Sequence, residues 1–80
     1  MTNLEKLNKI FCEVYTVEES ALNESFINTN VEAWDSVHHL SMVAGIEEAF
    51  DLMMDAEDIL EMTSYENVKN ILATKYEIVF

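Results

Sequence analysis

Apolar residues recur at helical spacing in four stretches of the chain, and the pattern is lost between the first two. In the first stretch they lie three or four positions apart, which predicts a helix over residues 3–15. Residues 16–30 collect small polar residues instead, so we expect a long loop with room for one helical turn and with Phe26 and Ile27 as its anchors. The apolar stripe of the first helix comprises Leu4, Leu7, Ile10, Phe11 and Val14.

The second helix is predicted to begin at Asp35 and to end near Phe50 or Asp51. Asp35 is a good N-cap, because its carboxylate can accept hydrogen bonds from the unpaired N–H groups of the first turn. Gly45 falls in the middle of this helix, where glycine costs about 1 kcal/mol relative to alanine. The sequence gives no reason for it.

Two further helices are predicted in the C-terminal third of the chain. Residues 55–62 form a short one capped by Asp55, and residues 63–76 form a longer one. Thr63 followed three residues later by Glu66 has the spacing of a capping box. With no proline and one glycine, residues 1–80 are predicted to form a single all-α domain: a small four-helix bundle with three longer helices, one short third helix and a long loop between helices 1 and 2. The inward-facing residues of the last two helices are Ile59, Met62, Val68, Ile71 and Leu72.

A helical wheel divides the second helix into two apolar faces. A surface helix of a small bundle needs only one, so the second face either packs against another neighbour or docks a partner with a basic surface. The face assigned to the core contains His39, Met42, Val43, Ile46 and Phe50. The second contains Ser36, Val37, Leu40 and Ala44, with Glu47, Glu48 and Asp51 as an acidic rim.

The charge of the chain narrows the possible partners. Sixteen acidic residues, four lysines and no arginine give a net charge of −12, which argues against binding of nucleic acids or of anionic membranes.

The apolar runs are too short for a transmembrane helix, and the first ten residues lack the apolar region of a signal peptide. The lone Cys12 cannot form an internal disulfide. We therefore expect a cytoplasmic protein.

Ser36 follows the capping residue and has three interpretations. It can be an ordinary first-turn residue, since serine is common near helix starts. It can be a hydrolytic nucleophile with His38 or His39 as base, although the G-x-S-x-G elbow is missing and that helical spacing is unsuitable. It can also be a modification site, because the N-terminus of a helix favours an attached phosphodiester. A metal site made by the two adjacent histidines is not expected, because their side chains diverge on a helix.

The stretch W-D-S-V at residues 34–37, together with I-E-E-A-F at residues 46–50, resembles the acyl carrier protein family and its D-S-L signature. The similarity extends to the order of the four predicted helices over nearly the whole chain. It implies that Ser36, next to Asp35, carries a 4′-phosphopantetheine arm added from coenzyme A by a phosphopantetheinyl transferase, an enzyme that uses Mg²⁺. The arm would hold acyl groups as thioesters, so the chain would be a carrier and not an enzyme.

The resemblance also implies roles for particular residues. In the family the second helix is the recognition helix, which makes Val37, Leu40, Glu47 and Glu48 contacts for the transferase and for acyl-loading and acyl-transferring enzymes with basic docking surfaces. The helical wheel adds Ala44 and Asp51 to these predicted contact residues. The chain would act as a monomer and would not insert into membranes. An acyl pocket between the second and third helices would be lined by His39, Met42, Ile46, Met54, Ile59 and Met62.

The chain departs from the family pattern at several positions. Val37 replaces the usual leucine, and His38 and His39 stand where polar or acidic residues are common. Trp34 resembles stand-alone carriers of lipid-modification, surface-polysaccharide or secondary-metabolite pathways. Two alternatives remain: an aminoacyl or peptidyl carrier, and an unmodified acidic helical domain that binds other proteins.

Overall fold

The computed structural model describes all residues from 1 to 80 and is all-helical, with four α-helices and no strands. The predicted all-α class with four helices and the long loop between the first two helices are confirmed. None of the helices has the length and the apolar character needed to cross a membrane. The helices are α1 (Asn3–Tyr15), α2 (Ser36–Phe50), α3 (Ala56–Glu61) and α4 (Tyr65–Lys75), and one 3₁₀ turn (Glu19–Ala21) lies between α1 and α2.

Helix α1 begins with a capping box that was not predicted from the sequence. The Thr2 hydroxyl accepts a hydrogen bond from the Glu5 N–H, and the Glu5 carboxylate accepts one from the Thr2 N–H. The buried face is rotated from the predicted stripe: Leu4 is exposed, whereas Asn8 and Tyr15 are buried. Burial of Asn8 is possible because its side chain is hydrogen-bonded to Tyr65 and Glu19.

The core is built around Phe11 of α1. Four aromatic rings lie with their centroids between 5.2 and 5.9 Å from that of Phe11, and they come from α1, from the first loop and from α4. The long loop is therefore held by its own aromatic side chains, and the predicted anchor Phe26 is buried. The four rings are those of Tyr15, Phe26, Trp34 and Tyr65.

The loop is also fixed by its backbone to the junction between α3 and α4. The Asn28 N–H donates to the Thr63 carbonyl at 2.8 Å, and the Tyr65 N–H donates to the Phe26 carbonyl at 2.9 Å. Ile27, the other predicted anchor, forms an isolated antiparallel bridge with Ser64. Met62 and Ser64, on either side of Thr63, have extended backbone, and α4 begins only at Tyr65.

The predicted capping of the last two helices is corrected by this arrangement. The capping box of Thr63 and Glu66 is wrong, because the N-cap of α4 is Ser64, whose hydroxyl accepts from the Asn67 N–H at 3.0 Å. Asp55 does occupy the N-cap position of α3, but its side chain makes no capping bond. Its N–H instead donates to the Tyr76 hydroxyl.

Gly45 lies where α2 faces α1. A Cβ atom added there would stand 3.1 Å from Cγ2 of Ile10, which is closer than an ordinary van der Waals contact. The glycine thus allows α1 and α2 to pack closely at this point, which explains its place in mid-helix.

Candidate functional site

The candidate site is the N-terminus of α2. Asp35 is the N-cap as predicted, and its carboxylate accepts a hydrogen bond from the His38 N–H at 2.9 Å. The pKa of Asp35 is lower than its ordinary value, mainly because of this bond and secondly because of the hydrogen bond to the His38 side chain. Ser36 is the first residue of α2 and is exposed. Its hydroxyl takes no part in the cap.

The two histidines next to Ser36 are bonded to other groups. The Nδ1 atom of His38 lies 2.8 Å from the Asp35 carboxylate, and its ring stacks on the buried ring of Tyr15. Both ring nitrogens of His39 have partners elsewhere, in Trp34 and Ile59. Neither arrangement prepares an imidazole to take the proton of the Ser36 hydroxyl, so the geometry does not support the hydrolytic interpretation.

A pocket of about 370 Å³ opens beside Ser36. It lies between the end of the first loop, the first turns of α2, and α3 with the residues that follow it. Its walls combine polar and apolar side chains. The lining residues are Asn28, Trp34, Asp35, Ser36, His39, Leu40, Ile59, Leu60, Met62 and Thr63.

The structure divides the six residues predicted to line an acyl pocket into two groups. His39, Ile59 and Met62 line the pocket beside Ser36. The remaining three, Met42, Ile46 and Met54, are buried in the hydrophobic core and do not line it. Four further lining residues were not predicted: Asn28, Trp34, Leu60 and Thr63. Trp34 lies close to Ser36 in the sequence, whereas only the tertiary fold brings Asn28, Leu60 and Thr63 to it.

His39 connects three parts of the chain at this pocket. The Trp34 Nε1–H donates to Nδ1 of His39 at 3.0 Å, and Nε2 of His39 lies 2.8 Å from the Ile59 carbonyl oxygen. An indole N–H can only donate and a carbonyl oxygen can only accept. Both bonds therefore require the neutral imidazole with its proton on Nε2. In this form the ring links the end of the first loop and α2 to α3.

The second apolar face of α2 is not covered by another helix. Val37 is 72% exposed and Leu40 is 60% exposed, and Ala44 is exposed as well. The alternative that this face packs against a further neighbour is therefore wrong. Leu60 of α3, which lines the same pocket as Leu40, is 79% exposed and adds to this apolar surface. Met53, before α3, is 87% exposed.

The predicted acidic rim is only partly free. Glu48 and Asp51 are exposed, as expected for residues that meet a partner. Glu47 is half-buried, and its carboxylate accepts a hydrogen bond from the Met54 N–H at 2.9 Å. Glu47 thus holds the segment that connects α2 to α3, and its assignment to the rim alone is corrected.

A buried carboxylate fixes α3 to the C-terminal end of α4. Asp58 accepts hydrogen bonds from the Lys75 ammonium group and from the Tyr76 hydroxyl, each at 2.6 Å. The pKa of Asp58 is lower than its ordinary value, mainly because of the hydrogen bond from Lys75 and secondly because of that from Tyr76. This cluster positions α3, and hence the pocket wall formed by Ile59 and Leu60.

Comparisons with known proteins do not add to this geometry. No family model matches the chain, and no curated protein or solved structure matches it significantly. No group of three or more His, Cys, Asp or Glu side chains is arranged to hold a metal ion.

Proposed function

We propose that this protein is an acyl carrier that holds its cargo on a 4′-phosphopantetheine arm attached to Ser36. The observation that carries the proposal is the exposed Ser36 at the first position of a 15-residue helix, beside a pocket of mixed polarity. Because Asp35 already caps α2, the serine hydroxyl remains available for a bond to phosphorus.

The residues around Ser36 fit such an arm. The first turn of α2 has backbone N–H groups and the positive end of the helix dipole, both of which favour a phosphodiester. The pocket offers an amide and a hydroxyl from Asn28 and Thr63, which suit the amide groups of the arm, and apolar walls from Leu40 and Leu60. When bound, the group supplies a terminal thiol that holds an acyl chain as a thioester.

Attachment of the arm requires an enzyme of its own. The oxygen of Ser36 forms a bond to the phosphorus that bears the pantetheine, the pyrophosphate bond of coenzyme A breaks, and the adenosine bisphosphate leaves. The hydroxyl proton passes to a base of the phosphopantetheinyl transferase. The transferase also supplies the Mg²⁺, so none of the residues of this chain has to bind the metal.

The exposed face of α2 suits the enzymes that would load and unload the carrier. Val37 and Leu40 form an apolar centre next to the serine, and Glu48 and Asp51 place negative charge farther along the same helix. Partners with basic surfaces would be attracted by the net charge of −12 and oriented by this rim. The helix order is that expected of the carrier family, and we propose the same bundle arrangement here.

Intact-mass measurement tests the proposal. Incubation with coenzyme A, Mg²⁺ and a broad-specificity phosphopantetheinyl transferase should add one phosphopantetheine group to the unaltered protein and none to Ser36→Ala. Ser41→Ala is the matched control, because Ser41 is an exposed serine of the same helix. Absence of the added mass with several transferases, while a known carrier is modified in parallel, would contradict the proposal.

A second candidate is an unmodified helical domain that binds other proteins. It is favoured by Met53, whose large apolar side chain is 87% exposed although the carrier proposal gives it no role. Failure of the modification would favour this candidate. An aminoacyl or peptidyl carrier would use the same arm, and the mass of the group attached in the native host would identify the cargo.

A further inference from the structure

His39 is one of the residues that form the wall of the pocket beside Ser36. Helical spacing places His39, Met42 and Ile46 along one side of α2, with His39 nearest to Ser36. His39 lines the pocket, whereas Met42 and Ile46 are fully buried behind it. An acyl chain carried on an arm attached to Ser36 would have to pass the His39 ring in order to run along this side of α2 toward Met42 and Ile46.

The ring is held from two directions. Its Nδ1 atom accepts from Trp34, and its Nε2 atom donates to the carbonyl of Ile59 in α3. Separation of α2 from α3 at this point would break the second bond, which joins two half-buried residues. The loss of this bond opposes the separation. The imidazole is thus a latch between the pocket and the core.

We propose that His39 determines the class of cargo by closing the core to long alkyl chains, so that the carrier shelters short or polar acyl groups. This inference rests on the proposed function. One property of the pocket agrees with it. Half of its lining residues are polar: Asn28, Asp35, Ser36, His39 and Thr63.

The length of the attached acyl chain provides the test. The transferase is supplied with acetyl-, butyryl- or decanoyl-coenzyme A, and mass spectrometry verifies that the acyl-phosphopantetheine group is attached. The melting temperature of each loaded form is then measured. Each methylene that becomes buried should raise the melting temperature by roughly 3–6 °C. In the unaltered protein we expect the decanoyl form to melt within about 3 °C of the butyryl form, which is less than one buried methylene.

Two variants remove the latch in different ways. His39→Leu replaces the polar ring by an apolar side chain, and Trp34→Phe removes the donor to Nδ1. In both we expect the decanoyl form to melt at least about 5 °C above the butyryl form, which corresponds to one or two buried methylenes. His38→Leu is the matched control, because His38 belongs to the same helix but does not line the pocket. It should behave as the unaltered protein does.

The outcomes separate this inference from the proposed function. If no form is loaded on Ser36, the carrier function itself is contradicted. If loading succeeds and the decanoyl chain already raises the melting temperature of the unaltered protein by 5 °C or more, the latch is refuted, and this result does not depend on how well the variants fold. Nitrogen NMR of the unmodified protein should show His39 with its proton on Nε2, and a proton on Nδ1 would likewise overturn the inference.

Discussion

Gly45 allows a direct test of the contact between α1 and α2. Replacement by alanine should gain about 1 kcal/mol from helix propensity. The new methyl group, however, would lie 3.1 Å from Cγ2 of Ile10, against 3.4–4 Å for an ordinary contact. Overpacking of this kind costs about 1–3 kcal/mol. With a cost of about 2 kcal/mol, Gly45→Ala should destabilise the fold by about 1 kcal/mol and lower the melting temperature by about 4–8 °C.

A double-mutant cycle separates the two contributions. Ile10→Ala removes the opposing Cγ2 atom, so in that background Gly45→Ala should stabilise the fold by about 1 kcal/mol. The coupling between the two sites is then about 2 kcal/mol, measured by thermal and urea unfolding followed by far-UV circular dichroism. Ala44→Gly provides the reference for propensity, because Ala44 is exposed on the same helix. Equal stabilisation by Gly45→Ala in both backgrounds would refute the packing argument.

Two further predictions concern the position of α3. Glu47→Ala should lower the free energy of unfolding by about 1 kcal/mol through loss of the hydrogen bond from Met54. Glu48→Ala, the control, should change it by less than about 0.5 kcal/mol. Equal effects of the two substitutions in urea unfolding would contradict the structural role of Glu47. Asp58 has a pKa below its ordinary value of 3.8 because of Lys75, so its stabilising contribution is complete above that pH and is lost as the pH falls through the folded-state pKa. Asp58→Asn should therefore lower the melting temperature at neutral pH and reduce its fall on acidification, and an unchanged profile of melting temperature against pH would count against the ion pair.

Much of the candidate site was predictable from local sequence. The cap at Asp35 and the first-turn position of Ser36 follow from helix-start signals within a few residues, and both agree with the structure. The two faces of α2 follow from its periodicity alone, and Val37 and Leu40 are exposed as the wheel indicates. Local signals failed at Thr63, where long-range backbone pairing with the first loop overrode a good capping box.

The sequence by itself determined the helices, their order and the isolation of one serine at the start of α2, because propensity, capping and periodicity act over a few neighbouring residues. Only the tertiary structure decided what surrounds that serine. Hydrogen bonds between a loop and two helices join Trp34, His39 and Ile59. Glycine is needed at position 45 because Ile10 of another helix packs against it. Such contacts depend on how the helices pack, which local patterns do not specify.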